Sequence, residues 1–131
     1  MQERISAQEY LKRVNEHGEQ EALIRRCKMS YAEYPELRLL FAIPNGGLRD
    51  KRVAAKLKAE GVRAGVPDLC LPIARKGYHA LYIEMKTDRG RVSIEQRAWI
   101  EVLKKNGNQA VTCYSQEDAW EALKDYLQVE R

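Results

Sequence analysis

The chain of 131 residues lacks the features that define membrane, secreted and zinc-binding proteins. No apolar run approaches the roughly 20 residues of a transmembrane helix, and the amino terminus, MQERISAQEYLKR, is too polar for a signal-peptide core. Three cysteines, Cys27, Cys70 and Cys113, are widely spaced among apolar neighbours, which fits neither a disulfide framework nor a zinc site. We therefore predict a cytosolic protein without membrane attachment. Its cysteines are interpreted as reduced core residues, with a reactive thiol as the alternative.

Internal repeats, low-complexity stretches and linkers are also absent. A hydrophobic content of 44% with 32% charged residues suits one domain with its own core, so residues 1–131 are predicted to form a single domain. The serines and the two histidines, His17 and His79, form no nucleophile and base set, which argues against a hydrolase of the triad type.

Positive charge is concentrated in one segment of a moderately basic chain, whose net charge is +4. Residues 49–63, RDKRVAAKLKAEGVR, contain six basic residues and only two acidic ones. Such a cluster can neutralise phosphates and makes binding dependent on salt. A solvated helix face is an equally good interpretation of the charge alone.

The local patterns predict an α/β domain with a mixed sheet. Helices are predicted in SAQEYLKRVNEHG, EQEALIRRCKMSYAEY, the basic segment, SIEQRAWIEVLKKNG and SQEDAWEALKDYL, and strands in LRLLFAIP, PDLCLPI, HALYIEMK and QAVTCY. Gly18 is predicted to separate the first two helices, and Pro35 to end the second. ARKG is predicted to turn a hairpin between the second and third strands, and a crossover helix leads to the fourth.

Several side chains are expected to face inward from these helices. The apolar spacing predicts this for two sets, namely Val53, Ala54 and Leu57 in the basic segment, and Trp99, Val102 and Leu103 in the following helix. Ser93 and Ser115 are the predicted amino-terminal caps of the last two helices, with Gln96 and Asp118 three residues on.

Charged residues interrupt the two apolar strands of the predicted hairpin. Because alternate side chains share a face, Glu84 and Lys86 are neighbours at the end of one strand, and pairing puts Asp68 beside Glu84. Two adjacent buried carboxylates are unfavourable unless a cation offsets them, and Mg²⁺ prefers such oxygen ligands. A lysine there can position a water or neutralise a developing oxyanion. A structural cluster of ion pairs is the alternative.

The order of these residues resembles a known group of nucleases. Glu19, then Gly65-Val66-Pro67-Asp68, then Glu84-Met85-Lys86, then Gln96 is similar to the motif of the PD-(D/E)xK superfamily, and more narrowly to the virus-type replication-repair nuclease (VRR-NUC) family and its short phage and prophage members. The specific pieces are IPNGG, KLKAEGVRAGVPDLCLP and YHALYIEMK. The resemblance implies a restriction-endonuclease-like core, with a mixed central sheet flanked by helices.

The resemblance also implies the roles of the hairpin residues. Asp68 and Glu84 would bind Mg²⁺ or Mn²⁺ together with the backbone carbonyl of Met85. Lys86 would be the catalytic lysine.

Two helical residues complete the implied site. Gln96 matches the glutamine that lines the site in the family, although its capping box with Ser93 explains it as well. The helix glutamate is expected to be Glu19, with Glu21 and Glu16 as rivals.

The function implied is a metal-dependent DNA endonuclease that leaves 5′-phosphate and 3′-hydroxyl ends. The side chains predicted to contact the DNA backbone are Asn45, Arg49, Lys51, Arg52, Arg63, Lys76, Arg89 and Arg91, of which Asn45 is also a good turn former. Lys76, Arg89 and Arg91 are expected to lie near the site.

Small members of the family resemble homodimeric enzymes that resolve DNA junctions. We therefore expect a homodimer that acts on branched DNA, such as a four-way junction, in a bacterial or phage-infected cell. Trp120, Tyr126 and Leu127 are candidate interface residues, with core packing as the alternative. The competing functions are a flap-processing or exonuclease enzyme, a non-catalytic DNA-binding module and a partner-binding domain.

Overall fold

The computed structural model describes residues 6–44, 50–87 and 91–128. Its helices are α1 (Ala7–Met29), α2 (Lys51–Ala59), α3 (Ile94–Lys105) and α4 (Gln116–Leu127), with a 3-10 helix at Pro35–Leu39. Its strands are β1 (Phe41–Ala42), β2 (Leu69–Leu71), β3 (Leu81–Met85) and β4 (Gln109–Cys113). Within these ranges no helix combines the length and hydropathy needed to cross a membrane.

The sheet is mixed, as the sequence predicts. Its strand order is β1-β2-β3-β4, with antiparallel pairing from β1 to β3 and parallel pairing between β3 and β4. Arg75 and Tyr78 pair across the predicted ARKG turn, which confirms the β2–β3 hairpin. The parallel pair is connected through α3, as such a pair requires a crossover.

The main core lies on one face of the sheet, beneath α1 and α4. Leu69, Leu71, Leu81, Ile83 and Met85 point from the strands into a cluster with buried residues of both helices, including Leu23, Cys27 and Leu123. The three cysteines are buried and reduced, as predicted. This face therefore supplies most of the apolar burial that stabilises the fold.

For the three candidate interface residues of α4, the structure supports the alternative of core packing. Trp120, Tyr126 and Leu127 are exposed at only 7%, 1% and 4%, and all three belong to the core cluster. They share the helix stripe that faces the sheet, so packing against the strands removes them from solvent. They are not an interface for a second copy of the chain.

The amino-terminal region is one helix rather than two. α1 continues through Gly18, because one helical glycine costs only about 1 kcal/mol and the following turns are held by packing of Leu23 and Cys27. Pro35 begins the 3-10 helix instead of ending an α-helix. The predicted strand LRLLFAIP is reduced to two residues, since Leu37 enters the core from this 3-10 helix.

The two middle helices bury less than their patterns predict. α2 has no buried residue, and Val53 is 43% exposed while Ala54 and Leu57 are half-buried. In α3, Leu103 is buried and Trp99 half-buried, but Val102 is 51% exposed. α2 is therefore attached at the surface, and most of its side chains remain available to a partner.

Side chains cap the beginnings of the helices. Ser115 caps α4 through the Asp118 N–H at 3.1 Å, as predicted, and Asp50, which was not predicted as a cap, accepts a hydrogen bond from the Val53 N–H at 2.9 Å at the start of α2. Gly61 and Gly107 follow α2 and α3 with φ of +106° and +86°, which a glycine adopts without strain.

Candidate active site

The face of the sheet opposite the main core carries Asp68, Glu84 and Lys86, and we call it the site face. Leu69 pairs with Ile83, so Asp68, one residue earlier, falls opposite Glu84, one residue later. The alternation of β3 therefore sends Ile83 and Met85 to the core and Glu84 to the site face. The structure brings Asp68 and Glu84 together as the sequence predicts.

Asp68 is held by the backbone on both sides. Its carboxylate oxygen Oδ2 accepts a hydrogen bond from the Met85 N–H at 2.7 Å, and its carbonyl oxygen accepts one from the Ile43 N–H at 2.8 Å. Pro67, which is buried, precedes it and has no N–H that would need a partner. These contacts fix the direction of the Asp68 carboxylate before any ligand binds.

Glu84 is almost completely buried, at 1% exposed. The pKa of Glu84 is raised to about 9, mainly by burial and then by the charge of Asp68 and a hydrogen bond between the two carboxyl groups, while the charge of Lys86 acts in the opposite direction. The two carboxyl groups thus hold a proton between them at neutral pH. A divalent cation could replace that proton, and the oxygen donors suit Mg²⁺ or Mn²⁺.

Lys86 follows β3 directly and is 8% exposed. Its N–H donates to the carbonyl oxygen of Cys113 at 2.8 Å, which continues the pairing with β4. Its positive charge lowers the pKa of Glu84, so it acts electrostatically on the carboxyl pair. Most of this lysine is covered by protein.

Gln96 connects the beginning of α3 to Glu84. Its Nε2 donates to Glu84 Oε1 at 3.1 Å, while its Oε1 accepts from the Ser93 N–H at 2.9 Å. Ser93 Oγ accepts in turn from the Gln96 N–H at 3.1 Å, which completes a capping box. The capping box and the contact with Glu84 therefore occur together, because the cap orients the amide so that its NH₂ group faces Glu84, and the role of Gln96 in an active site stays a prediction.

Among the glutamates of α1, Glu16 rather than the expected Glu19 acts on the carboxyl pair. Glu19 Oε2 accepts from the Gln116 N–H at 3.1 Å and so lies against the start of α4. Glu16 acts on Glu84 electrostatically, and one of its carboxylate oxygens is fully buried. Glu21 is exposed. Both Glu16 and Glu19 share a face with the core residues of α1, but Glu16 is almost one turn nearer the helix start.

The segment that leads into Asp68 is packed tightly against α3. Gly65 has a φ of +89°, and a Cβ there would stand 2.9 Å from the backbone carbonyl carbon of Glu95. Only glycine therefore fits at this contact without displacing the helix. Gly65 sets the position of the first turn of α3, and thus of Gln96, relative to Asp68.

The predicted DNA-contacting residues do not all lie at the site. Lys51 and Arg52 are exposed on the first turn of α2, Arg63 is exposed before Gly65, and Arg91 is exposed two residues before Ser93. Three further predictions, Asn45, Arg49 and Arg89, fall outside the described residues.

The expected position of Lys76 near the site is wrong. Lys76 is in the hairpin turn, at the opposite end of β2 and β3 from the carboxyl pair, and its Nζ donates to the carbonyl oxygen of Asp125. The hairpin places its turn and its open end at opposite edges of the sheet, so a turn residue cannot reach the site. The chain order alone does not reveal this separation.

A complete cluster of metal ligands is absent from the part of the chain that the structure describes. No three His, Cys, Asp or Glu side chains there come close enough to hold an ion by themselves. The candidate ligands are the carboxyl pair, together with Glu16, whose charge acts on Glu84. The donor set fits a hard cation that keeps several water ligands.

Comparison with known proteins identifies similar chains. The family model described as the VRR-NUC domain matches residues 5–117. A solved structure described as a VRR_NUC domain protein has 34% identity and a TM-score of 0.59, over 70% of this chain and 69% of the other. No curated protein matches the sequence.

Proposed function

The chain belongs to the VRR-NUC domain family, and from that premise we propose that it is a metal-dependent endonuclease that hydrolyses phosphodiester bonds in DNA. The family itself makes it a nuclease-type DNA-processing domain. The metal dependence is supported mainly by one observation, the buried contact of Asp68 with Glu84, in which the pKa of Glu84 is raised to about 9. Such a pair is unfavourable as two charges unless a cation binds beside it.

The residues that would hold the cation are Asp68 and Glu84, with the carbonyl oxygen of Met85. Among the helix glutamates, Glu16 is a better candidate than Glu19, because its charge is felt at Glu84 whereas Glu19 binds the start of α4. Mg²⁺ or Mn²⁺ bound there would stabilise the negative charge that develops on the scissile phosphate.

The chain's own residues then have distinct tasks. Lys86 would position the attacking water and neutralise developing negative charge, since its charge acts on the carboxyl pair. Gln96 is a positioning residue, because its donation to Glu84 holds one carboxylate oxygen and leaves the other to Asp68 and the cation. Lys51, Arg52, Arg63 and Arg91 would contact phosphates rather than bases.

The preferred substrate proposed is branched DNA, and the active form a homodimer. A dimer with two-fold symmetry presents two equivalent sites, which matches the symmetry of a four-way junction. Flap or exonuclease processing is the alternative within the same chemistry. A non-catalytic DNA-binding module is the alternative of a different class, and the basic surface of α2 would serve it equally well.

The first experiment is cleavage of end-labelled duplex, single strand, flap and four-way junction DNA with Mg²⁺, Mn²⁺ or EDTA. We expect cutting that requires the metal and is lost in Asp68→Ala. Asp125→Ala, which removes an exposed carboxylate of α4, is the matched control and should cut normally. Binding that is undiminished in EDTA, with no cleavage of any substrate, would favour the binding module.

The oligomeric state needs its own measurement. Light scattering at several concentrations, with and without junction DNA, should give the mass of two chains. A monomer that cuts a junction at one strand only would contradict the dimer and leave the nuclease intact.

A further inference from the structure

Phe41 is a large apolar side chain that lies on the site face and is still 49% exposed. The strand register shows its direction, because Phe41 pairs with Cys70 and Cys70 pairs with Tyr82. Residues directly opposite in antiparallel strands share a face. Leu40, the preceding residue, packs against the main core, as alternation requires. Phe41 therefore contributes nothing to that core and is presented to solvent beside the site.

The row formed by Phe41, Cys70 and Tyr82 lies next to the row of the carboxyl pair. The hydrogen bond from the Ile43 N–H to the Asp68 carbonyl oxygen, 2.8 Å long, continues the pairing of β1 with β2 as far as Asp68. Asp68 is two residues from Cys70, and two residues along a strand span about 7 Å. One nucleotide bound at the carboxyl pair could therefore reach the aromatic row.

Among the residues that the structure describes, no helix packs on β1 at this side of the site face, and the main contacts of β1 are with β2. α3 lies at the other side, where it packs on β4. Tyr82 is half-buried and hydrogen-bonded to Cys70, so its ring lies over the middle of the row. The row thus forms a shallow shelf with Tyr82 and Cys70 as its floor and Phe41 at its outer edge.

The proposed function indicates what occupies this shelf. It places a scissile phosphate at the carboxyl pair, within one nucleotide of the aromatic row. Aromatic rings next to a bound phosphate are what single-stranded nucleic acid requires, since its bases stack on the rings. α2, the next element along the chain, exposes Lys51, Arg52, Lys56 and Lys58, which can meet further phosphates. In paired duplex the faces of the bases are already covered by their neighbours.

We propose that Phe41, with Tyr82 beneath, stacks against an unpaired DNA base one nucleotide from the scissile phosphate. The inference rests on the proposed function and narrows its substrate to DNA with unpaired nucleotides at the cleavage position. A flap, a splayed arm or an opened junction meets this condition, and continuous duplex does not.

The test compares unpaired and fully paired DNA in EDTA, where cleavage does not interfere. Each oligonucleotide carries 2-aminopurine, whose fluorescence reports stacking, at the position next to the cleavage site mapped with wild-type protein. We expect Phe41→Ala to weaken binding of the unpaired DNA about tenfold and to remove the fluorescence change, with little effect on duplex. Phe41→Trp should retain both properties, and Phe41→Leu should lose the fluorescence change.

Tyr78→Ala is the matched control, because Tyr78 is 38% exposed at the opposite end of the hairpin. It should bind unpaired DNA like the wild type. Circular dichroism of each variant establishes that the fold is kept, which the exposure of Phe41 favours.

Three results would overturn the inference. One is an equal loss of affinity for paired and unpaired DNA in Phe41→Ala, and another is no loss for either. The third is a change from dimer to monomer in Phe41→Ala, which would assign this side chain to contact between two copies of the chain.

If wild-type protein cuts DNA normally and Phe41→Ala behaves like it, only this inference fails. If wild-type protein neither binds nor cuts DNA, the proposed function fails together with it.

Discussion

The two faces of strand β3 are both buried, but they are stabilised in different ways. Ile83 and Met85 point to the main core and are exposed at 0% and 1%, while Glu84, between them, is also exposed at only 1%. The apolar pair gains free energy from burial, whereas the carboxyl group loses hydration and approaches Asp68. Burial by itself therefore does not distinguish a core position from a site position, and the chemistry of the buried group does.

The partners of the two faces differ in the same way. α1 and α4 close the core face by contact of apolar side chains. The site face is held by directed hydrogen bonds, from the Met85 N–H to Asp68 and from Gln96 to Glu84. Substitutions on one face should consequently change stability, and those on the other should change cleavage.

The largest effect is expected at Lys86. Removing its charge in Lys86→Ala should lower single-turnover cleavage by about 10²–10³-fold or more, since a preorganised charge at the reacting group is lost. DNA binding, measured by anisotropy, should change little. Lys104→Ala, which removes an exposed lysine from the far end of α3, is the control. Normal cleavage by Lys86→Ala would remove the catalytic role from this residue.

The adjacent pair Ile83 and Glu84 tests the separation of the two faces directly. Ile83→Ala should lower the free energy of unfolding by about 2–5 kcal/mol in urea titration, while the fraction that remains folded still cuts DNA. Glu84→Gln should abolish cutting without this loss of stability. An inactive but fully folded Ile83→Ala protein would show that the faces are not independent.

The pH dependence of stability should come mainly from the site face. The pKa of Glu84 is raised from 4.5 to about 9 in the folded chain, so between these values the folded state binds a proton that the unfolded state has lost. The stabilisation is complete below about 4.5 and decreases as pH rises to about 9. Thermal unfolding across this range should show the slope in wild-type protein.

Two comparisons assign that slope to the carboxyl pair. Glu84→Gln should flatten it, whereas Asp125→Asn, at an exposed position of α4, should not. Mg²⁺ should raise the unfolding temperature of wild-type protein near pH 8 and leave that of Glu84→Gln unchanged. An unchanged slope in Glu84→Gln would mean that other groups carry the pH dependence.

The smallest effect is expected at the cap of α3. Ser93→Ala should cost about 1 kcal/mol of stability and lower cleavage severalfold, because Gln96 loses the turn geometry that orients its amide toward Glu84. Ser115→Ala removes the equivalent cap of α4, whose hydrogen bond has the same 3.1 Å length. The control should lose similar stability and keep full activity. Equal activity in both variants would limit Ser93 to a structural role.

Local patterns were sufficient to predict most of the site. Alternation in the hairpin predicted that Asp68 meets Glu84, and the spacing of Ser93 and Gln96 predicted the capping box. Both depend on neighbours along the chain or on one adjacent strand. The catalytic roles of these residues stay predictions until cleavage is measured.

The choices that the sequence left open concern positions that depend on distant packing. Glu19 and Glu16 share a face of α1, so helical periodicity cannot tell which of them comes near Glu84. That depends on the position of α1 along its axis relative to the sheet. The apolar stripe of α4 predicts that Trp120 is covered, but it does not say whether the sheet or a second chain covers it.

The sequence by itself determined the faces of the strands, the hairpin, the helix caps and the mixed α/β class, because each follows from a local period or a local hydrogen bond. Only the tertiary structure decided which face is closed by α1 and α4, how far Lys76 stands from the carboxyl pair and which glutamate approaches it. The spacing of residues along a helix or strand specifies which face a side chain occupies. Packing between elements specifies where along that face it meets the neighbouring element.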